Sequence, residues 1–199
     1  MSGEQANAGS VDHPVHDLIA KRWSPYSFLD RDIAEGDLRA LFEAARWAPS
    51  SYNEQPWRFI VATRANRNEF DRMLSCLVPA NQKWASAVPV LILTVASKVF
   101  ERNGNENAHA HHDLGLAVGN MVAEATARGI GVHQMAGIDP VKAREVYRVP
   151  EGCDVVTAIA LGYTGEAPPE ARSRRPLSEQ VFAGTFGEPA PLLPGGSGG

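Results

Sequence analysis

"APSSYNEQPW", residues 48–57, separates two segments with plain patterns. Upstream, in "DIAEGDLRALFEAARWA", Leu38, Leu41, Phe42 and Ala45 recur at i, i+3, i+4 and i+7. That spacing predicts one buried face of a helix. Asp32, three residues before Glu35, has the spacing of a capping box and is expected to start that helix. Pro49 stops it, because proline cannot continue the hydrogen-bond ladder. Downstream, "RFIVAT" is an apolar run of strand length. The residues between, Pro49, Ser50, Ser51, Asn53, Gln55 and Pro56, put small neutral donors and acceptors on a stiff elbow. Such a cluster is unlike the filling of a core.

Working outward, "VPVLILTVAS" (88–97) is dense enough for a strand buried on both faces. "AHAHHDLGLAVGNMVAEATARGIG" (108–131) is the longest helix, with Leu114, Val118, Met121, Val122 and Ala125 on one face. Gly115, Gly119, Ala123 and Ala127 recur every four residues beside that face. Glycine inside a helix costs about 1 kcal/mol relative to alanine. Close packing against another helix, across a subunit interface, is the expected compensation. Gly129 and Gly131 end the helix. "VHDLIAKR" (15–22) and "DPVKAREVY" (139–147) read as short helices, and "VHQMAG" and "DVVTAIALGYTG" as strands. Helices and strands alternate imperfectly, giving an α+β or mixed α/β domain.

The chain of 199 residues, 44% hydrophobic, suffices for one core. A net charge of −4 without a basic run argues against a nucleic-acid partner. Cys76 and Cys153 fit no metal or disulfide pattern. No apolar leader or membrane span is present, so a soluble cytoplasmic protein is expected. Residues 1–13 read as a flexible polar leader, 14–182 as the domain, and 183–199 as a mobile Pro/Gly-rich tail. The polar run 166–182 is expected to extend over a neighbouring surface.

Two basic clusters lie near the ends of the domain. Arg22 and Ser24 stand in "KRWS", and Arg172 and Arg174 in "RSRRP". Guanidinium forks with a hydroxyl suit a phosphate monoester. No Walker loop, Rossmann glycine pattern or nucleophile elbow occurs. His109, His111 and His112 lack zinc-site spacing and read as solvated, so no metal is assigned.

Five blocks now stand in order: "KRWSPYSF", "LFEAARWAPSSYNEQPWRFIVA", "NQKWASAVPVLIL", "DLGLAVGNMVAEATARGIGVHQMAGID" and "RSRRPL". Together they resemble the FMN-dependent nitroreductase family, over residues 14 to 182. The resemblance implies the α+β fold class, with a mixed central sheet flanked by helices, and an intertwined homodimer with one FMN in each interfacial cleft and the C-terminal extension lying on the partner. It implies that Arg22, Trp23 and Ser24 approach the FMN phosphate and ribityl chain, with Tyr26 beside them. Arg172 and Arg174 would close on the phosphate. Pro49, Ser50, Ser51, Asn53 and Gln55 would line the flavin from the second subunit. Asn81 would hydrogen-bond the ring system, and Gln134, Met135, Ala136 and Gly137 would form the loop beneath it. NADH or NADPH would be the electron donor, and a nitroaromatic, quinone or enone the acceptor, by ping-pong hydride transfer. The cofactor carries that chemistry, so no catalytic side chain is assigned. Flavin binding without turnover, as a carrier or sensor, and a same-fold dehalogenase or flavin-fragmenting enzyme are the alternatives.

Two departures stand out. Where many relatives carry a cation near the flavin N1 and O2 atoms, this chain has Tyr26 and Trp84, with Lys83 one residue off. A missing cation implies a lower flavin potential. The polar stretch "VFERNGNENAHAHH" (99–112) is short where relatives carry a lid, implying an open flavin face.

Overall fold

The computed structural model describes residues 11–165 and 172–193. Residues 1–10 of the expected leader, 166–171 of the expected extension and 194–199 of the tail lie outside the described residues.

Four strands form one sheet: β1 (Trp57–Thr63), β2 (Val90–Ser97), β3 (Ile130–Met135) and β4 (Cys153–Tyr163), in the order β1-β2-β4-β3. All three pairings are antiparallel. The α+β class is as expected, but the described residues of one chain form no parallel pair and so no mixed sheet. β2 is central and buried at nearly every position, as its unbroken apolar run requires. Its side chains alternate between two cores. Val90, Ile92 and Ala96 face one, and Leu91, Leu93 and Val95 face the other. Between Thr94 and Val95 the register with β4 shifts, and the buried Thr94 hydroxyl bonds the Thr157 backbone and hydroxyl there.

The first core lies under α2 (Glu35–Arg46) and α5 (Ala110–Ala127). Leu41 and Ala45 of α2 are fully buried, with Leu38 and Phe42 against them, and the apolar face of α5 is buried as its period predicts. The second core lies under α3 (Arg67–Leu74), α4 (Pro79–Ala85) and α6 (Pro140–Tyr147). Helices α3 and α4 are additions to the sequence reading. The remaining helix, α1 (Asp17–Ala20), is a single turn.

The expected capping box does not form. Ala34 is the N-cap of α2 and makes no side-chain bond. Asp32 instead accepts from Arg64 Nε at 2.6 Å, and Asp30 pairs with the same guanidinium. A charge-assisted bond to an arginine outcompetes a neutral backbone cap.

The small-residue stripe of α5 faces outward. Gly115, Gly119, Ala123 and Ala127 are all exposed, and a Cβ added at Gly115 or Gly119 would meet no atom within 4 Å. Nothing in the described residues of this chain explains glycine at those two positions. In the tail, Phe182 bridges Pro189, and Ala190 and Leu193 are buried.

Candidate functional site

The sheet register separates the predicted site residues into two groups. Trp57, which follows the elbow, pairs with Ala96, and Ala96 pairs with Asp154, so the elbow sits at one end of the sheet. Gly131 pairs with Gly162 at the other end, where Pro25 and Phe28 lie against them. Along β4, Asp154 and Gly162 are separated by roughly 25 Å of strand rise. Within one chain the elbow therefore does not reach the 22–28 segment.

At the Gly162 end the two basic clusters converge. Burial, then the nearby charges of Arg174 and Arg172, push the Arg22 guanidinium below its ordinary pKa. Residues 150 positions apart in sequence thus share one electrostatic neighbourhood. Arg22 Nη1 donates to Ser24 Oγ at 3.4 Å, while Arg174 donates to the Arg172 and Ser173 carbonyls at 3.1 and 3.2 Å. Among the described residues no carboxylate contributes to the Arg22 environment. Like charges gathered without a counter-charge raise the energy of the ligand-free protein and suit a polyanionic group. Trp23 is half-buried beside Arg22.

From that cluster β3 runs toward the second group. After β3 the chain turns through Ala136 and Gly137. Asn81, on α4, donates from Nδ2 to the Gly137 carbonyl at 3.0 Å, and Val78 N–H donates to the same oxygen at 3.1 Å. Trp84 Nε1 donates to Asn81 Oδ1 at 3.4 Å. The turn is also held by Asp139 N–H on the Cys76 carbonyl and by the Leu77–Ile138 bridge. A Cβ at Gly137 would lie 2.5 Å from Asn81 Nδ2, so this position needs glycine for close approach. Gln134 and Ala136 are exposed and Met135 is buried. Asn81, Gln134, Ala136 and Gly137 are thus brought together, about 13 Å of strand rise from Gly131.

Between the two ends lies an aromatic cluster that sequence reading missed in part. Tyr26 and Trp84 meet edge to face with centroids 5.2 Å apart. His133 of β3 lies 4.5 Å from Tyr26 and 4.7 Å from Trp84, and Phe28 stacks on Trp84 at 6.3 Å. His133 is buried and hydrogen-bonds the Pro25 carbonyl through Nδ1 at 2.8 Å. A carbonyl only accepts, so Nδ1 carries the proton. Burial, with the Arg172 charge adding to it against the opposing effect of the Pro25 bond, pushes the His133 pKa below its ordinary value. His133 is therefore a neutral imidazole at pH 7. Its only sequence signal was a polar residue at an inward position of "VHQMAG".

This gives a pH dependence with a definite sign. Below the ordinary histidine pKa near 6.5 the unfolded chain takes up a proton that native His133 resists. That component lowers stability as pH falls through 6.5 and levels off below the native pKa. Above 6.5 it is absent. In urea titrations, the stability of the wild type minus that of His133→Asn should decrease from pH 7.5 to pH 5.5.

The elbow is a built structure too. Tyr52, Asn53 and Gln55 all take left-handed dihedrals, with φ of 54°, 56° and 51°. Non-glycine residues adopt these only when their surroundings enforce them. Ser50 Oγ accepts from Gln55 N–H at 2.9 Å, and the buried Asp113 of α5 accepts from Ser51 N–H at 2.9 Å through Oδ2. The 99–112 stretch stays close to the elbow. It turns back at Gly104 and packs on the elbow, with Arg102 4.2 Å above the Tyr52 ring. Asp113→Ala strands the Ser51 N–H and is expected to cost about 1–2 kcal/mol. Asp113→Asn, which keeps an acceptor oxygen, should recover most of it, read as the urea midpoint.

His111 and His112 are exposed beside Asp154 and Asp113, and the described residues hold no metal-binding group of three ligands. Both cysteines are free. A cavity of about 460 Å³ opens elsewhere, bordered by His111, Arg144 and Asp154, and none of the predicted site residues lines it. No helix among the described residues is long and apolar enough to cross a membrane.

A two-sided α+β sheet, an arginine cluster at one end and a glycine turn braced by an asparagine along the β3 edge define a nitroreductase-like fold. The nitroreductase family profile matches residues 19–163, and the chain belongs to that family. Among relatives, it is 29% identical over 151 residues to a putative NADH dehydrogenase/NAD(P)H nitroreductase of Archaeoglobus fulgidus, covering 73% of this chain and 83% of that one. It is 26% identical to the major NAD(P)H-flavin oxidoreductase of Aliivibrio fischeri, covering 77% and 88%. A crystal structure described as an oxidoreductase containing FMN superposes with a TM-score of 0.84 at 28% identity, covering 94% of this chain and 98% of that one.

Proposed function

We propose that this chain is an FMN-dependent oxidoreductase that takes electrons from NADH or NADPH and passes them to an electron-poor acceptor such as a nitroaromatic, quinone or enone. The observation that carries this reading is the convergence of Arg22, Arg172 and Arg174 in a family whose named members include NAD(P)H-flavin oxidoreductases. Bound FMN would supply hydride acceptance and donation at N5. The chain's own residues hold and orient it. Arg22, Ser24, Arg172 and Arg174 bind the phosphate dianion, Trp23 and Tyr26 flank the ribityl path, and Asn81 fixes the turn at Ala136 and Gly137, which follows Gln134 and Met135 of β3, under the ring.

The cleft is completed by a second copy. Pro49, Ser50, Ser51, Asn53 and Gln55 stand at the opposite end of the sheet from the arginines, so they serve the partner's flavin rather than their own. The exposed small stripe of α5, whose glycines have open space at Cβ, suits the close helix approach such a homodimer needs.

The test is an anaerobic absorbance spectrum of purified protein reconstituted with FMN. NADH or NADPH should bleach it, and air or a quinone should restore it. Bound flavin that neither donor bleaches would assign binding without turnover. Among the described residues the ring contacts of Tyr26 and Trp84 involve no lysine or arginine, Arg172 acts on the cluster only through its charge on His133, and Lys83 is exposed. The midpoint potential is accordingly expected at or below that of free FMN. A redox titration giving a value well above free FMN would show another group supplying positive charge.

A further inference from the structure

The segment that carries Arg22 and Ser24 does not simply lie against the sheet. A Cβ on Gly131 would stand 2.8 Å from Pro25 Cγ and 2.6 Å from Thr164 Cγ2. One on Gly162 would stand 2.7 Å from Phe28 Cδ1 and 2.8 Å from Pro89 Cδ. One on Gly165 would stand 2.9 Å from Leu29 Cδ2. Three glycines from β3, β4 and the turn after β4 thus leave a trough that Pro25, Phe28 and Leu29 fill in order. Two hydrogen bonds hold the segment down, one at each end. His133 Nδ1–H donates to the Pro25 carbonyl at 2.8 Å, and Leu29 N–H donates to the Tyr163 carbonyl at 2.8 Å. Beyond Leu29, the Arg31 guanidinium lies 3.8 Å over the Tyr163 ring.

We propose that Gly131, Gly162 and Gly165, with His133, form a seat for Pro25–Leu29, and that this seat sets where Arg22 and Ser24 stand relative to Arg172 and Arg174. The inference rests on the FMN reading above and deepens it by naming what positions the phosphate site. His133 is a positioning residue: it need not touch the cofactor. Its task is one hydrogen bond from Nδ1–H to a carbonyl, which needs a donor but no charge. A shift of the segment by the width of a methyl group would displace Arg22 from the other two arginines first, because the 136–137 turn keeps its own bonds to Asn81 and Val78.

The prediction is specific to the phosphate end. Full-length Gly162→Ala, Gly131→Ala and His133→Phe are each expected to weaken FMN binding about tenfold, near the worth of one charge-assisted hydrogen bond. Riboflavin, which lacks the phosphate, should lose less affinity than FMN in each of them. His133→Asn, whose amide can donate to the Pro25 carbonyl, should restore FMN affinity. Without any ligand, amide exchange at Leu29 should accelerate in His133→Phe and not in His133→Asn. Where a glycine variant does not fold, the His133→Phe and His133→Asn pair decides. Equal loss of FMN and riboflavin, or no rescue by asparagine, overturns the seat. So does unchanged FMN affinity in variants of a wild type that itself prefers FMN to riboflavin. A wild type that shows no such preference overturns the FMN reading itself, and the seat's role with it.

Discussion

Replacing Arg22, Arg172 and Arg174 together by glutamine is expected to weaken FMN binding by about 1,000-fold or more, with riboflavin binding little changed. Each guanidinium bonded to a phosphate dianion contributes about 1.5–3 kcal/mol, and the three do not add fully because they share one ligand. The comparison of FMN with riboflavin isolates the phosphate, since both carry the same ring. Equilibrium fluorescence titration reads it directly. The same substitution should leave the ligand-free protein at least as stable as the wild type. Arg22 is partly buried beside two like charges that hold its pKa down, and that repulsion disappears with the charges. Weaker cofactor binding with an unchanged or higher apo melting temperature is the signature of a site kept for function at a cost in stability. Equal FMN affinity in the triple variant would remove the phosphate assignment altogether.

Gly137→Ala is expected to damage the other end of the cleft. The added methyl would stand 2.5 Å from Asn81 Nδ2 and 2.9 Å from Val78 Cγ2, both on the α4 side of the turn. Neither neighbour can retreat freely. Asn81 is held by Trp84 and by the Gly137 carbonyl, and Val78 is the N-cap of α4. Overpacking of this kind costs about 1–3 kcal/mol, and the lost Asn81 bond adds to it. FMN and riboflavin should therefore both bind about 10–100-fold more weakly, unlike the arginine variant, because the turn would support the ring common to both. Asn81→Ala in the same background tests the coupling. If the clash acts through Asn81, the double variant binds better than Gly137→Ala alone.

Much of the architecture is written in local pattern. The continuous apolar run of β2 suited a strand covered on both faces, and the 3.6-residue repeats of α2 and α5 found their inward faces, though not the buried Ala110, Asp113 and Ala117 of α5. The prolines and small polar residues of 48–57 marked the break between α2 and β1. The resemblance to a family named the arginines at both ends of the domain and the cofactor they suit. These readings succeed because periodicity and turn chemistry act between residues a few positions apart. The capping box at Asp32 failed for the complementary reason. Arg64, 32 positions away, offers that carboxylate a charged partner that no local pattern displays.

Tertiary structure alone decided the rest. Register sets the elbow and the 22–28 segment at opposite ends of the sheet, roughly 25 Å apart, so one chain does not bring them together. Packing gathered Arg22, Arg172 and Arg174, turned His133 into a neutral donor for Pro25, and gave Gly131 and Gly162 a reason to lack side chains. Sequence specifies which residues avoid water and which bend the chain. Which distant groups then approach one another depends on strand register and side-chain volume summed over the whole fold, and those are properties of no single stretch.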